Sequence, residues 1–188
     1  MKIVGISGSR IGTKTKTAMG YTLHVLKENY SEVETKLIDL ADYEIPFSDG
    51  RHYLEYEGDT GEILQVIMEA DALIIGTPIF QASIPASLKN IFDHLPVNAL
   101  QDKVVSMVIT AGSAKHYLIA EQQLKPILGY MKAQIVQTYV FMEEKDFYNQ
   151  QIINDDVVFR IERLVEDTVT LTETYANIRQ TKEAKYGF

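Results

Sequence analysis

Three short segments of the chain contain residue types that bind a small anion or a flat aromatic ring. Residues 7–15 combine glycines with Arg10 and four hydroxyl side chains, which are donors that hold a phosphate monoester. Residues 77–85 are mainly apolar, and the backbone amides between them can meet the polar edges of a heteroaromatic ring. Residues 110–116 again join hydroxyl and glycine residues to basic side chains. Together these segments predict a site for a phosphate and a flat ring.

Two well-known nucleotide-binding loops do not match the first segment. A P-loop needs four residues between its glycines and a lysine after the second, whereas three residues separate Gly8 from Gly12 and Thr13 precedes Lys14. The dinucleotide fingerprint G-x-G-x-x-G is not matched either, because Gly5 precedes Gly8 by three positions. The remaining interpretation is a monophosphate held by hydroxyl and backbone donors.

The three segments follow predicted strands in a chain that alternates strands with helices. The predicted strands are residues 2–6, 35–40, 72–76, 104–110 and 134–141. Apolar spacing predicts intervening helices, including residues 62–69, and a last helix over 155–178. Apolar strands without strict alternation indicate a sheet covered on both faces, so we predict an α/β fold, a flavodoxin-like doubly wound sheet of five parallel strands in the order 2-1-3-4-5. Such sheets bind ligands beyond the carboxyl ends of their first and third strands.

A few residues suggest where these elements begin and end. Thr13 or Thr15 is the expected N-cap of the first helix, and Pro85 suits the first turn of the helix that follows the third strand. Pro126 is expected to kink or restart the helix that contains it. Residues 179–188 form a short polar C-terminal tail that we expect to fray.

The amino-acid composition limits the kinds of molecule that the protein is expected to bind. The 188 residues include 18 Lys+Arg and 26 Asp+Glu, a net charge of −8, which argues against binding to nucleic acid or to anionic membrane. No apolar run approaches the roughly 20 residues of a membrane span, and the first residues lack a signal-peptide pattern. The absence of cysteine excludes disulfides, thiolate metal sites and cysteine nucleophiles. We expect one soluble domain over residues 1–188, located in the cytoplasm.

Two of the segments resemble motifs of a known family. The phosphate loop G-S-x-R-x-G-S-x-N of the NAD(P)H-dependent FMN reductase family resembles Gly8-Ser9-Arg10-x-Gly12-Thr13-x-Thr15. The family's T-P-x-Y-x-x-S-x-P-x-x-L-K-N-x-x-D segment is similar to Thr77-Pro78-Ile79-Phe80-x-Ala82-Ser83-Ile84-Pro85-Ala86-Ser87-Leu88-Lys89-Asn90-x-x-Asp93. Residues 95–105 and 116–128 are similar to the subgroup of alkanesulfonate-system FMN reductases and azoreductases. The resemblance covers roughly residues 3–141, and the second motif is the more specific.

The resemblance implies a flavodoxin-like enzyme with bound FMN and with NADPH or NADH as hydride donor. It further implies a homodimer or homotetramer, a small-molecule electron acceptor and, in the flavin-supplying subgroup, a flavin-dependent monooxygenase as partner. The chemistry would take place on the flavin ring, so no catalytic side chain is predicted. No metal site is predicted, because the His and carboxylate spacing matches no ligand set.

The resemblance also assigns cofactor contacts residue by residue. The FMN phosphate would be held by Ser9, Arg10, Thr15 and Thr13. The flavin ring would lie along Pro78, Ile79, Phe80 and Gln81, with Ala111, Gly112 and Ser113 on its other side. His116 is a further candidate, because it lies near the predicted mouth of the pocket.

Three of these positions depart from the family pattern. Phe80 stands where a tyrosine is usual, which removes a hydroxyl near the flavin. Arg10 follows Ser9 directly, although the common motif has one residue between them. Thr15 replaces an asparagine and can donate only one hydroxyl hydrogen.

Three functions fit such a fold. The first is an NAD(P)H-dependent FMN oxidoreductase that acts on free flavin, a quinone or an azo compound. The second is an electron-transfer flavodoxin that binds FMN without NAD(P)H activity. The arginine in the first loop argues against it, because flavodoxin phosphate loops are typically rich in Thr and Ser and lack arginine. The third is a signalling receiver domain, which requires acidic residues where this chain has Ser7, Gly8 and Ser9. The first function is the one that we predict.

Overall fold

The computed structural model describes residues 1–186, and its centre is a parallel β-sheet. The strands of this sheet are β1 (Lys2–Ser7), β2 (Glu34–Asp39), β3 (Ala72–Pro78), β4 (Val104–Ala111), β5 (Gln134–Ile135) and β6 (Val140–Glu143). Their order is β2-β1-β3-β4-β5, with β6 also paired to β4, and every pairing is parallel. The predicted flavodoxin-like order 2-1-3-4-5 is therefore confirmed.

Within residues 1–186, five α-helices cover the two faces of the sheet. They are α1 (Lys14–Asn29), α2 (Gly58–Glu69), α3 (Ala86–His94), α4 (Lys125–Tyr130) and α5 (Asp155–Tyr186). Because alternate strand residues point to opposite faces, Val4 and Ile6 belong to the core on the side of α2, α3 and α4. Ile3 and Ile74 belong to the core on the side of α1 and α5. Two covered faces explain why the strands are apolar on both sides.

The fifth strand differs from the continuous strand predicted over residues 134–141. It is divided into β5, which pairs with the start of β4, and β6, which pairs with its end. Between them Lys125 Nζ lies 2.9 Å from the backbone oxygen of Gln137, so this carbonyl accepts a side-chain hydrogen bond. An antiparallel hairpin of β7 (Phe147–Tyr148) and β8 (Gln151–Ile152) then leads into α5.

The predicted helix boundaries agree with the structure at Pro126 but differ from it at the starts of α2 and α3. The expected restart at Pro126 is confirmed: residues 120–124 form a π-helical turn, and α4 begins at Lys125, with the proline in its first turn. Helix α2 begins at Gly58, four residues before its predicted start. Pro85 lies immediately before α3 rather than in its first turn.

The prediction that the last helix ends at residue 178 is wrong. Helix α5 continues to Tyr186, because the residues after Ile178 are mostly strong helix formers even though they are polar. Residues 187 and 188 of the predicted tail lie outside the described residues. Within residues 1–186, each helix is too short or too polar to cross a membrane.

Candidate functional site

A cleft of about 470 Å³ opens at the carboxyl edge of the sheet, beside β1, β3 and β4. The three connections that follow these strands are the three segments first identified in the sequence. The cleft is lined by Ile11, Gly12, Thr13, Lys14, Thr15, Pro78, Ile79, Phe80, Thr110, Ala111 and Gly112. Doubly wound sheets bind ligands at this position, because the connections from neighbouring strands diverge to opposite faces there.

The loop between β1 and α1 has a shape determined mainly by its own residues. The backbone N–H of Gly8 donates to Gly76 O at 2.8 Å, and a Cβ atom on Gly8 would lie 3.0 Å from that oxygen. Ser87 Oγ, in α3, donates to Gly8 O at 2.7 Å. Ser9 Oγ donates to Ile11 O at 2.6 Å and accepts from Ile11 N at 3.2 Å, so its hydroxyl is used within the loop.

Two threonines at the start of α1 have different surroundings. Thr13 is the N-cap residue of α1, which agrees with one of the two predicted alternatives. Its exposed hydroxyl makes no capping hydrogen bond. Thr15 is buried, and its Oγ1 lies 2.8 Å from Thr110 Oγ1 at the end of β4. The hydroxyl of Thr13 is therefore available to a ligand, whereas that of Thr15 connects α1 to β4.

The basic side chains near this loop do not form one cluster. Lys14 Nζ lies 2.7 Å from Glu144 Oε1, and this ion pair lowers the pKa of Glu144. Lys16 Nζ lies 2.7 Å from a carboxylate oxygen of the buried Asp39, which raises the pKa of Lys16. Arg10 is exposed, and none of residues 1–186 pairs with its guanidinium.

Arg10 also faces a different cleft. This second cleft, of about 340 Å³, lies between Arg10, residues 45–47 and the start of α3. Phe47 at its edge is 82% exposed. The structure thus separates Arg10 from the hydroxyl groups that the motif groups with it.

The turn after β3 combines an apolar surface with an unusual backbone. Phe80 and Ser83 exchange two backbone hydrogen bonds, of 2.9 and 3.0 Å. Gln81 and Ala82 between them have φ values of 50° and 58°, as in a type I′ turn, which usually contains Gly or Asn. Non-glycine residues in this region carry about 1 kcal/mol of strain or more each. Strain of this kind is concentrated at binding sites, and Phe80 beside the turn lines the cleft.

The connection after β4 forms the opposite wall. Ala111 and Gly112 line the cleft, and a single 3₁₀ turn over residues 114–116 follows Ser113. The backbone N–H of His116 donates to Ser113 O at 3.3 Å, and its side chain is half-buried outside the cleft lining.

Aromatic residues support this wall from behind. Tyr139 Oη donates to Tyr117 O at 2.7 Å, and burial raises the pKa of the Tyr139 hydroxyl. The ring of Tyr117 stands edge-on to Phe141 at a centroid distance of 5.4 Å. The end of the 3₁₀ turn is thereby attached to the fifth-strand position of the sheet.

The structure brings together part of the predicted site. The predicted residues that line the cleft are Thr13, Thr15, Pro78, Ile79, Phe80, Ala111 and Gly112. The predicted residues outside the lining are Ser9, Arg10, Gln81, Ser113 and His116. The predicted cofactor contacts do not include four other residues of the lining, which all lie within the segments identified in the sequence: Ile11, Gly12, Lys14 and Thr110. The ligand contacts of all these residues remain predictions.

The donors and shape of the cleft suit FMN. The first N–H groups of α1 have no partner within the helix, and beside them stand the free hydroxyl of Thr13 and the ammonium of Lys14. This end of the cleft fits a phosphate. Ile79, Phe80 and Gly112 provide apolar side chains and open backbone at the other end, which fits a flat ring.

The fold and this cleft define a flavodoxin-like α/β protein with a site for a phosphorylated planar cofactor. Comparison with known proteins identifies the family. The sequence profile described as NADPH-dependent FMN reductase matches residues 1–147. The chain belongs to this family, whose enzymes are oxidoreductases that use NAD(P)H and FMN, and the resemblance predicted from the motifs is confirmed.

Individual relatives support the assignment. An NAD(P)H-dependent FAD/FMN reductase of Geobacillus thermodenitrificans is 38% identical over 170 residues, which cover 90% of this chain and 92% of that protein. The crystal structure of an NADH:FMN oxidoreductase, EMOB, superposes with a TM-score of 0.75 at 28% identity and covers 90% of this chain and 89% of that one. An archaeal flavodoxin, at 16% identity and a TM-score of 0.62, covers 92% of this chain and 99% of its own, and shares the fold alone.

Proposed function

We propose that the protein transfers hydride from NADPH or NADH, through FMN, to free flavin, a quinone or an azo compound. The observation that carries this proposal is the cleft at the carboxyl edge of the sheet, with an uncapped helix N-terminus at one end and an apolar strained turn at the other. Family membership favours this reductase over an electron-transfer flavodoxin.

At the phosphate end, the chain's own groups would bind and orient the cofactor. The Thr13 hydroxyl, the Lys14 ammonium and the first N–H groups of α1 would hold the phosphate oxygens. Thr15 and Ser9 would act by keeping the loop in place, since both hydroxyls already have partners. For Arg10 to reach the same phosphate, its side chain would have to turn away from the second cleft.

At the ring end, FMN when bound would supply the hydride-accepting chemistry. The Phe80 ring and the Ile79 side chain would exclude water from one side of the flavin, while Ala111 and Gly112 would do so from the other. The two-residue turn at Gln81 would hold backbone N–H groups beside the ring edge in a fixed orientation, which limits the reorganisation needed when charge develops on the ring.

Assembly and partners are part of the same proposal. An apolar groove between α3 and α4, with the exposed side chains of Val97 and Tyr130, supports assembly into a homodimer or homotetramer. The similarity of residues 95–105 to flavin-supplying reductases supports a flavin-dependent monooxygenase as a partner that consumes the reduced flavin. A pyridine-nucleotide donor is consistent with the predicted location in the cytoplasm.

The test is an anaerobic titration of the purified protein. Quenching of FMN fluorescence measures binding, and the loss of flavin absorbance on addition of NADPH or NADH measures reduction. We expect both. Protein that neither binds FMN nor oxidises either nucleotide would refute the proposal, and reduction by dithionite alone would favour the flavodoxin function.

Two variants assign the phosphate contacts. Arg10→Ala is predicted from the motif to weaken FMN binding without affecting folding, and Thr13→Ala is predicted from the cleft lining to do the same. Riboflavin, which lacks the phosphate, should bind both variants as it binds the unmodified protein. Unchanged FMN affinity in either variant would remove that residue from the phosphate site.

A further inference from the structure

The ion pair between Lys14 and Glu144 lies at the rim of the cleft and joins two distant parts of the chain. Lys14 is the first residue of α1 and lines the cleft, whereas Glu144 begins the 3₁₀ turn that follows β6. Their Nζ and Oε1 atoms are 2.7 Å apart. An acidic side chain is thus bound to the one lysine among residues 1–186 that lines the cleft.

The turn that carries Glu144 is held by its neighbours. Asp146 is buried, and its side chain accepts from Glu143 N at 2.7 Å and from Asn154 Nδ2 at 2.7 Å. Glu143 itself is paired with Lys145 at 2.7 Å. The bonds of Asp146 hold this turn in place, and the turn positions Glu144 within reach of Lys14.

Lys14 differs from Lys16 in how easily it could be released. The partner of Lys16, Asp39, has a side chain only 4% exposed, so water would solvate its carboxylate less well than an exposed one if Lys16 left. The side chain of Glu144 is 71% exposed, so water can solvate its carboxylate when Lys14 leaves. Lys14 is therefore a cation that can change partners at small cost.

We propose that Glu144 sets the affinity for FMN by competing with the cofactor's phosphate for Lys14. This inference rests on the proposed function, since it takes the phosphate to bind at the start of α1. Binding of FMN would separate Lys14 from Glu144, and the freed carboxylate would remain near the phosphate dianion. Both effects weaken binding, so the pair keeps FMN exchangeable, as a reductase that delivers reduced flavin requires.

The direct test compares dissociation constants for FMN and riboflavin by fluorescence titration in four proteins: the unmodified chain, Glu144→Gln, Lys14→Met and the double variant. We expect Glu144→Gln to bind FMN about two- to five-fold more tightly, and Lys14→Met to bind it roughly three- to ten-fold more weakly. In the Lys14→Met background, Glu144→Gln should tighten FMN binding by a smaller factor, because only the repulsion between Glu144 and the phosphate is then removed. Riboflavin affinity should be the same in all four, which also reports that the cleft is intact.

A matched control removes a similar ion pair away from the cleft. Glu62→Gln breaks the 2.8 Å pair between Glu62 and Lys36, which joins α2 to β2, and should leave FMN affinity unchanged. Equal tightening by Glu62→Gln would show a general effect of net charge and overturn the inference. So would unchanged FMN affinity in Glu144→Gln, or an equal gain with and without Lys14. If the unmodified protein does not bind FMN at all, the proposed function itself fails.

Discussion

The two ends of the cleft are built in different ways. At the phosphate end, side chains hold the loop: Ser9 bonds within it, Thr15 bonds to Thr110, and Lys14 pairs with Glu144. At the ring end, two backbone hydrogen bonds hold the strained turn at Gln81, beside the apolar side chain of Phe80. A phosphate needs several charged or polar donors aimed at one point, whereas a flat ring needs a rigid apolar wall with a few fixed N–H groups. Substitutions at the two ends should therefore have different signatures.

The largest effect is expected from Gly8→Ala at the phosphate end. The added Cβ would lie 3.0 Å from Gly76 O and 3.1 Å from Leu88 Cδ2, so the loop must move away from β3. We expect a loss of about 1–3 kcal/mol in the free energy of unfolding and weaker FMN binding, measured by denaturant titration and fluorescence. Gly20→Ala, where a Cβ meets no atom within 4 Å, is the control and should not destabilise the protein. Equal stability of both variants would show that the loop does not depend on this close approach.

A smaller loss of stability is expected from Thr15→Val. Valine keeps the shape but leaves the buried Thr110 hydroxyl without its 2.8 Å partner, which should lower the free energy of unfolding by about 1–2 kcal/mol. FMN affinity should fall with it, because the first turn of α1 loses its hydrogen bond to the end of β4. Thr15→Ser restores the hydroxyl and should recover most of the affinity. If Thr15→Val binds FMN normally, this hydrogen bond has no part in shaping the site.

At the ring end, we expect a substitution that raises the free energy of unfolding instead of lowering it. Ala82→Gly relieves a left-handed non-glycine residue, so we expect the free energy of unfolding to rise by about 0.5–1 kcal/mol. The same exchange makes the turn more flexible, and we expect the rate of flavin reduction to fall in stopped-flow measurements. Gln150→Gly, at a φ of 59° in the β7–β8 hairpin, should stabilise the protein similarly without affecting reduction. If Ala82→Gly reduces flavin as fast as the unmodified protein, the strain at this turn has no role in flavin reduction.

The smallest effect is expected from the pair of Lys16 and Asp39. The pKa of Lys16 is raised above its usual 10.5, so its contribution to stability is fully present at neutral pH and is lost as the pH rises through the raised value. Lys16→Met should therefore melt slightly below the unmodified protein at pH 7, and the difference should vanish above the lysine's pKa. A difference that persists in strong alkali would point to lost packing of the lysine stem instead of lost charge.

Local patterns were sufficient for most of the fold. The apolar runs of β1, β3 and β4 and the spacing of apolar residues in α1 depend on near neighbours in sequence, so their types and order could be predicted. The interruption of the fifth strand could not, because it involves a hydrogen bond between Lys125 and the distant Gln137 carbonyl. The end of α5 does not follow from the polarity of its last residues, because their helix propensity outweighs that polarity.

The composition of the site was determined by the sequence itself: which three loops meet, the hydroxyl-rich character of one, and the apolar character of another. Only the tertiary structure decided which side chains are free. In the fold, the hydroxyls of Ser9 and Thr15 already have hydrogen-bond partners, whereas the hydroxyl of Thr13 is open to the cleft. Arg10 lines a second cleft instead. The fold also brings Glu144 to Lys14, 130 positions apart. Spacing along a chain determines which elements form, but the partner of a hydroxyl or an ammonium depends on what the fold places within about 3 Å of it.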